Sequence, residues 1–263
     1  MLLSLINKAI STNDIEDIER VHKGYSNKVW KLITKSGGKY KIRIGDNNAL
    51  ISRKNELAIL KLINNKDCLF YEEENGNSIW KWIEGTTTSK SDINKQYLNS
   101  LVDLVNNIHN TPVSSKVLHH DDMEFYEISK KYFNEEDLNL YKRLVEKYKN
   151  DARVLCHNDV SLGNLIYDSE NKKLHLIDYE WGRINSRYWD YGNFIKESDL
   201  PLKQIKYLSK IADLNLIKLL QYCYLATIYS LQLTYVLNLS EAIKAYRKKL
   251  IEQLNKYRAL LTY

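Results

Sequence analysis

The chain has 263 residues, 44% hydrophobic and 27% charged, a composition that can bury a large core and argues against disorder over most of its length. The net charge of +6 comes from lysines spread along the whole chain, which argues against the clustered basic face of a nucleic-acid-binding protein. Cys68, Cys156 and Cys223 are widely spaced with no C-x-x-C, so neither a disulfide framework nor a cysteine zinc site is indicated, and a reducing cytoplasm is the expected compartment.

In chain order, the first eight residues lack the charged region and small-residue cleavage site of a signal peptide and read as the start of a helix. The turn Gly24-Tyr25-Ser26-Asn27 precedes two β-branched and aromatic runs, Val29 to Thr34 and Lys39 to Ile44, which Lys35-Ser36-Gly37-Gly38 joins as a hairpin. Arg53 to Asn64 carries apolar residues at helical spacing, and Ser78 to Ile83 alternates as a strand. Glu84-Gly85-Thr86-Thr87-Thr88-Ser89 breaks that pattern and divides the chain into residues 1–84 and 85–263.

Beyond it, Ile93, Tyr97, Leu101, Leu104, Val105 and Ile108 form one helical face that ends at Thr111-Pro112. A helix is predicted over Glu127 to Tyr148, then strands and loops from Val154 to Asp178. Two long helices follow, one within Leu202 to Leu239 and one from Ser240 to Leu260. Leu214 to Leu239 is long enough to span a bilayer, but Lys218, Gln221, Thr227, Ser230 and Gln232 interrupt it, so the expectation is a buried core helix and no membrane span. The layout is α+β, with a small β-rich N-lobe and a larger, mainly helical C-lobe.

The chemistry concentrates in one stretch. His157, Asp159 and Asn164 form an H-x-D-x-x-x-x-N run, and Asp178 follows in the apolar segment Leu174 to Glu180. Phosphoryl transfer from a nucleotide needs a carboxylate to orient the attacking hydroxyl, and an amide oxygen and a second carboxylate to hold Mg²⁺ against the phosphates. Asp159, Asn164 and Asp178 offer those groups in that order. His157 reads as a brace of the loop, because Asp159 already fills the role of base. His119-His120-Asp121-Asp122, with His109 nearby, has transition-metal ligand types but reads as a polar loop, and His175 as a packed or edge residue.

The segment Leu155 to Ile166, with Ile177-Asp178-Tyr179-Glu180-Trp181 and the downstream Asn185 to Glu197, resembles the choline/ethanolamine kinase family, within the wider group of aminoglycoside phosphotransferase-like kinases. The resemblance implies a two-lobed protein-kinase-like fold with ATP and Mg²⁺ as cofactors. It extends to the N-lobe. Gly24, Ser26 and Asn27 are similar to the turn that covers phosphates, Arg43 to the strand base that meets them, and Glu56 to the helix acid that pairs with that base. Lys41 shares the face of Arg43 by strand alternation and is the rival phosphate contact. Lys81, Trp82 and Ile83 resemble the hinge that bonds adenine, and Asp190 resembles the helix aspartate that braces the catalytic loop.

For the acceptor, Trp181, Glu197 and Tyr229 resemble the pocket that holds an amine by aromatic faces and a carboxylate. The chain departs from the family where paired tryptophans are usual, since Tyr229 and Gln232 are the nearest matches, and Ser161 stands where a glutamine is frequent. The implied activity is phosphorylation of an amino-alcohol, choline first. Ethanolamine, thiamine, an aminoglycoside or a sugar are alternative acceptors, and a catalytically silent nucleotide-binding scaffold is the alternative of another class. No sequence feature sets the oligomeric state.

Overall fold

The structure is a computed structural model that describes residues 2–21, 27–45, 49–237 and 240–261. It divides into two compact units. The first comprises Met1–Gly85 with Ser114–Val117 and Asp178–Gly182; the second comprises Thr86–Val113, Leu118–Ile177 and Arg183–Tyr263.

The first unit is built on an antiparallel five-stranded sheet. Its strands are β1 (Ile15–Val21), β2 (Lys28–Thr34), β3 (Lys39–Ile44), β4 (Cys68–Tyr71) and β5 (Ser78–Lys81), in the order β1-β2-β3-β5-β4. The predicted hairpin is β2–β3, with Lys31 opposite Lys41. Alternation sends Leu32, Ile42, Ile44 and Ile79 into a core completed by Leu5 and Ile6 of α1 (Leu2–Ile6) and by Ile10. Strand β1 was not legible because Ile15, Ile18 and Val21 recur every third residue, and tertiary pairing with β2 overrides that helical spacing. The helix α2 (Arg53–Leu62) starts where the Ser52 side chain accepts the Asn55 amide and ends before Asn64, which is left-handed. Gly76, with a φ of +76°, passes so close under Arg53 that a Cβ would lie 2.5 Å from Nε.

The second unit is mainly helical. The short strand β6 (Thr86–Thr87) pairs with β8 (Leu165–Asp168), which pairs with β9 (Lys173–Leu176), while β7 (Arg153–Cys156) pairs with β10 (Arg183–Ser186). Helix α3 (Lys95–His109) is capped by Asn94 and buries Tyr97, Leu98, Leu101, Val102, Val105 and Ile108. The helix predicted over Glu127 to Tyr148 is broken into α4 (Tyr126–Ser129), a 3-10 turn and α5 (Glu135–Tyr148). The cause is local: Asn134 caps Asp137, and Glu135, Glu136 and Asp137 put three acids in the first turn, where the helix dipole favours them.

The later helices are α6 (Arg187–Ser198), α7 (Leu202–Ile211), α8 (Leu216–Val236) and α9 (Glu241–Leu261). Asp213 is left-handed and separates α7 from α8. Helix α8 is buried around most of its circumference, as a core helix must be, and no described helix is long and apolar enough to cross a membrane. It packs against α6 at Gly192, where a Cβ would sit 3.0 Å from the Tyr222 carbonyl carbon and oxygen. Backbone cannot yield there as a side chain could. Gly192→Ala is expected to destabilise the protein by about 1–3 kcal/mol through overpacking, measured as a lower urea midpoint with an unchanged slope.

Candidate active site

The His157–Asp159 loop leaves β7 through a sharp turn. Asn158 takes a left-handed φ of 62°, which asparagine tolerates because its short side chain can bond locally, here by accepting from Asn185 at 3.0 Å. One carboxylate secures this turn from α6. Asp190 accepts the main-chain amides of His157 at 3.0 Å and Asn158 at 2.7 Å, and its Oδ2 also accepts the Nε2–H of His109 at 2.9 Å. Burial alone would raise its carboxyl, yet His109, His157 and these donors hold it below the usual range.

The His157 ring completes the brace. Its Nδ1 accepts the Asp159 amide at 3.3 Å, and its Nε2 donates to the carbonyl of Ile177 at 3.0 Å, the residue before Asp178. His157 is fully buried, and both ring nitrogens are committed to main chain.

Asp159 and Asn164 meet directly. The Asn164 Nδ2 donates to the Asp159 carboxylate at 2.7 Å and to its carbonyl at 3.0 Å, which leaves the Asn164 amide oxygen for a cation. Burial raises the Asp159 carboxyl above its usual range, and Glu197 adds to this, while His157, Lys196 and Asn164 oppose it. Asp178 has a left-handed φ of 69°, and its Oδ1 is buried, accepts no hydrogen bond and lies 3.6 Å from Arg43. An orphaned carboxylate oxygen and an uncommitted amide oxygen are each a hard donor of the type Mg²⁺ takes.

In the first unit, Arg43 and Glu56 are paired as expected, by two parallel bonds of 2.8 and 3.0 Å. The Arg43 Nε donates to Gly76 and Ser78, so the nitrogens of the buried guanidinium each have a partner within the protein. Lys41 is the other basic group on that face. Burial lowers its ammonium below the usual range, Asp178 opposes this, and no hydrogen bond or ion pair among the described residues holds it.

Arg53 and Tyr71 are partners that sequence reasoning missed. Arg53 links Glu56 at 3.1 Å to Glu180 at 2.8 Å and to the Asn27 side-chain Oδ1 at 3.1 Å, and the Tyr71 hydroxyl donates to Glu56 at 2.6 Å. The signal available for Arg53 was its place three residues before Glu56 on one helix face. Gly24 and Ser26 lie outside the described residues. At the expected hinge, the Lys81 and Trp82 amides already donate to Asp67 and Lys39.

Trp181 belongs to the first unit's Asp178–Gly182 segment. In the second unit, the Tyr229 ring meets His120 at 4.7 Å, Phe125 at 5.2 Å and Trp189 at 5.4 Å, and its hydroxyl donates to Glu124 at 2.6 Å. His120 therefore packs among aromatic rings instead of standing in a polar loop. The described groups close enough to share a metal are His109, Cys156 and Asp190. Glu197 is held by Lys196 at 2.9 Å, Lys249 at 3.4 Å and the Tyr246 hydroxyl.

The β-rich first unit and the helical second unit are those of a protein-kinase-like fold. The structure of choline kinase LicA from Streptococcus pneumoniae superposes with a TM-score of 0.77 at 16% identity, covering 97% of this chain and 98% of that one. An ethanolamine kinase of Plasmodium vivax gives a TM-score of 0.76 at 15% identity, over 94% and 84% of the two chains. Residues 18–261 match the choline/ethanolamine kinase family, and the chain belongs to it.

An uncharacterized protein of Mycoplasma pneumoniae is 29% identical over 191 residues, which cover 70% of this chain and 65% of the relative. A probable ethanolamine kinase B of Dictyostelium discoideum is 32% identical over 132 residues, 48% of this chain and 29% of the relative. The chain thus matches less than two thirds of the length of either relative.

Two measurements check these arrangements. In Asp190→Ala the amides of His157 and Asn158 lose their acceptors and are expected to exchange at least about tenfold faster, read by hydrogen exchange. Burial works against the charge of Glu197, but Lys196 and then Lys249 pull its carboxyl from 4.5 to about 2. A depressed carboxyl stabilises the fold above its unfolded value, and this contribution fades as pH falls from about 4.5 toward about 2. The stability difference between wild type and Glu197→Gln is therefore expected at pH 6 and should shrink over that window in urea titrations.

Proposed function

We propose that the protein is a kinase that transfers the γ-phosphoryl group of ATP to the hydroxyl of a small amino-alcohol such as choline or ethanolamine. The observation that carries this reading is the Asp159–Asn164 pair, held in a loop whose amides are fixed by Asp190. A carboxylate raised by burial and clamped by an amide is a base of defined direction, and family membership supplies the reaction class.

In this reading the acceptor hydroxyl donates to Asp159, which takes its proton as the bond to phosphorus forms. Asn164 and Asp178 would each offer an oxygen to Mg²⁺, which would supply charge neutralisation to the phosphate oxygens. Arg43, paired with Glu56, is the basic group offered to the phosphates, with Lys41 on the same strand face as the rival contact. Backbone groups from Lys81 to Ile83 take the adenine. Trp181 and Tyr229 offer aromatic faces to the acceptor's amine, and Glu197 is the carboxylate whose charge acts on Asp159. Little covalent work falls to the protein, so positioning and charge stabilisation dominate.

Asp159→Ala is expected to abolish phosphoryl transfer while nucleotide affinity changes less than about threefold, measured by Mg·ATP consumption and calorimetry. Retained turnover would remove Asp159 from the role of base. A screen of choline, ethanolamine, thiamine, aminoglycosides and simple sugars tests the acceptor, and activity on sugars alone would overturn the amino-alcohol reading.

A further inference from the structure

The brace behind the His157–Asp159 loop contains three metal-ligating side chains. His109 of α3, Cys156 of β7 and Asp190 of α6 are all buried, and their donor atoms lie within 4.8 Å of one another. The His109 Nε2 is 2.9 Å from the Asp190 Oδ2 and 3.7 Å from the Cys156 Sγ. The three come from distant parts of the chain, so no spacing motif announced them. A tetrahedral ion with Zn–N of about 2.0 Å and Zn–S of about 2.3 Å sets the sulfur and the nitrogen about 3.5 Å apart, close to the separation already present.

Charge and tautomer both allow an ion there. A thiolate and a carboxylate together cancel the charge of a divalent cation, so the occupied site would be neutral, as a buried position demands. On binding, the Cys156 thiol loses its proton to solvent and the His109 proton moves from Nε2 to Nδ1. The Nδ1 has no hydrogen-bond partner among the described residues, so the move breaks no bond at Nδ1. A cavity of about 220 Å³ gives an approach. His109 lines it with Asn106, Asn110, Val154 and Arg187, and Val154 shares the strand face of Cys156 by alternation. Sulfur and imidazole select a borderline-soft ion such as Zn²⁺ over the hard Mg²⁺.

We propose that His109, Cys156 and Asp190 form an inhibitory binding site for Zn²⁺ or a similar borderline-soft divalent ion. The link to the loop is one atom. Asp190 Oδ2 accepts both the His109 Nε2–H and the His157 amide, and its Oδ1 accepts the Asn158 amide. An ion bound at Oδ2 draws that oxygen away from the His157 amide, which loosens the turn that aims Asp159. The binding site stands on these three residues, whereas its inhibitory effect rests on the reading of Asp159 as the base.

The test titrates the full-length protein with Co²⁺ as a spectroscopic probe and Zn²⁺ as its competitor, in wild type, Cys156→Ser and Cys68→Ser. Wild type and Cys68→Ser are expected to take up a single Co²⁺ with a thiolate-to-metal absorption band that Zn²⁺ removes. Cys156→Ser is expected to lose the band and to bind Zn²⁺ at least about tenfold more weakly. In wild type, Zn²⁺ should speed hydrogen exchange at the His157 and Asn158 amides at least about tenfold, and lower turnover with Mg·ATP relative to the zinc-free rate, an effect lost in Cys156→Ser. The exchange map places the ion in wild type even if Cys156→Ser does not fold. No thiolate band, or a band that survives in Cys156→Ser, overturns the site. A band with unchanged exchange and turnover overturns the inhibition. Zinc-free wild type that phosphorylates no alcohol removes the kinase reading instead, and the band and the exchange rates still decide the site.

Discussion

The buried carboxylate of Asp190 is the constraint on which the candidate site depends. A left-handed Asn158 and two adjacent main-chain amides cannot hold a defined geometry without an acceptor, and the fully buried His157 needs one from within the protein. Asp190 reaches them from α6 and is itself held in the charged form by His109 of α3. A helix on each side therefore fixes the direction in which Asp159 leaves the loop. The His157 ring then carries the same order from the Asp159 amide to the Ile177 carbonyl.

A comparable logic runs through the first unit, with charges in place of amides. Arg43, Glu56, Arg53, Tyr71 and Glu180 form a buried network in which each ion has an opposite charge or a hydroxyl against it. Burial opposes the charge on Glu56, and its partners Arg43, Tyr71 and Arg53 overcome that opposition. Removing one member would leave an uncompensated buried charge, which costs far more than the pair contributes over an apolar substitute. The network also ties the Asp178–Gly182 segment to α2, where Asn55 donates to the Gly182 carbonyl at 2.8 Å.

Much of the fold was legible because local periodicity and turn chemistry act over a few residues. The β2–β3 hairpin, α3 ending before Thr111-Pro112 and the apolar α8 all follow from such patterns. The failures share a cause. The helix drawn through Phe133 missed a cap at Asn134, and β1 hid behind a three-residue spacing that only pairing with β2 resolves. In the site, Asp159, Asn164 and Asp178 were readable from spacing, while Tyr71 and Lys196 carry no local signature and Arg53 only its place three residues before Glu56.

By itself the sequence determined the reaction chemistry on offer: a base, an amide oxygen and a carboxylate at set intervals, within a β-rich and then helical chain. Only the tertiary structure decided which of those charges are already spent. Arg43 is seen to be engaged by Glu56, Gly76 and Ser78, and the Glu197 carboxylate to have Lys196 and Lys249 beside it. Residue type and spacing set what a group can do. Whether a buried charge is available depends on partners that folding brings from elsewhere in the chain, and these leave no periodic trace in the sequence.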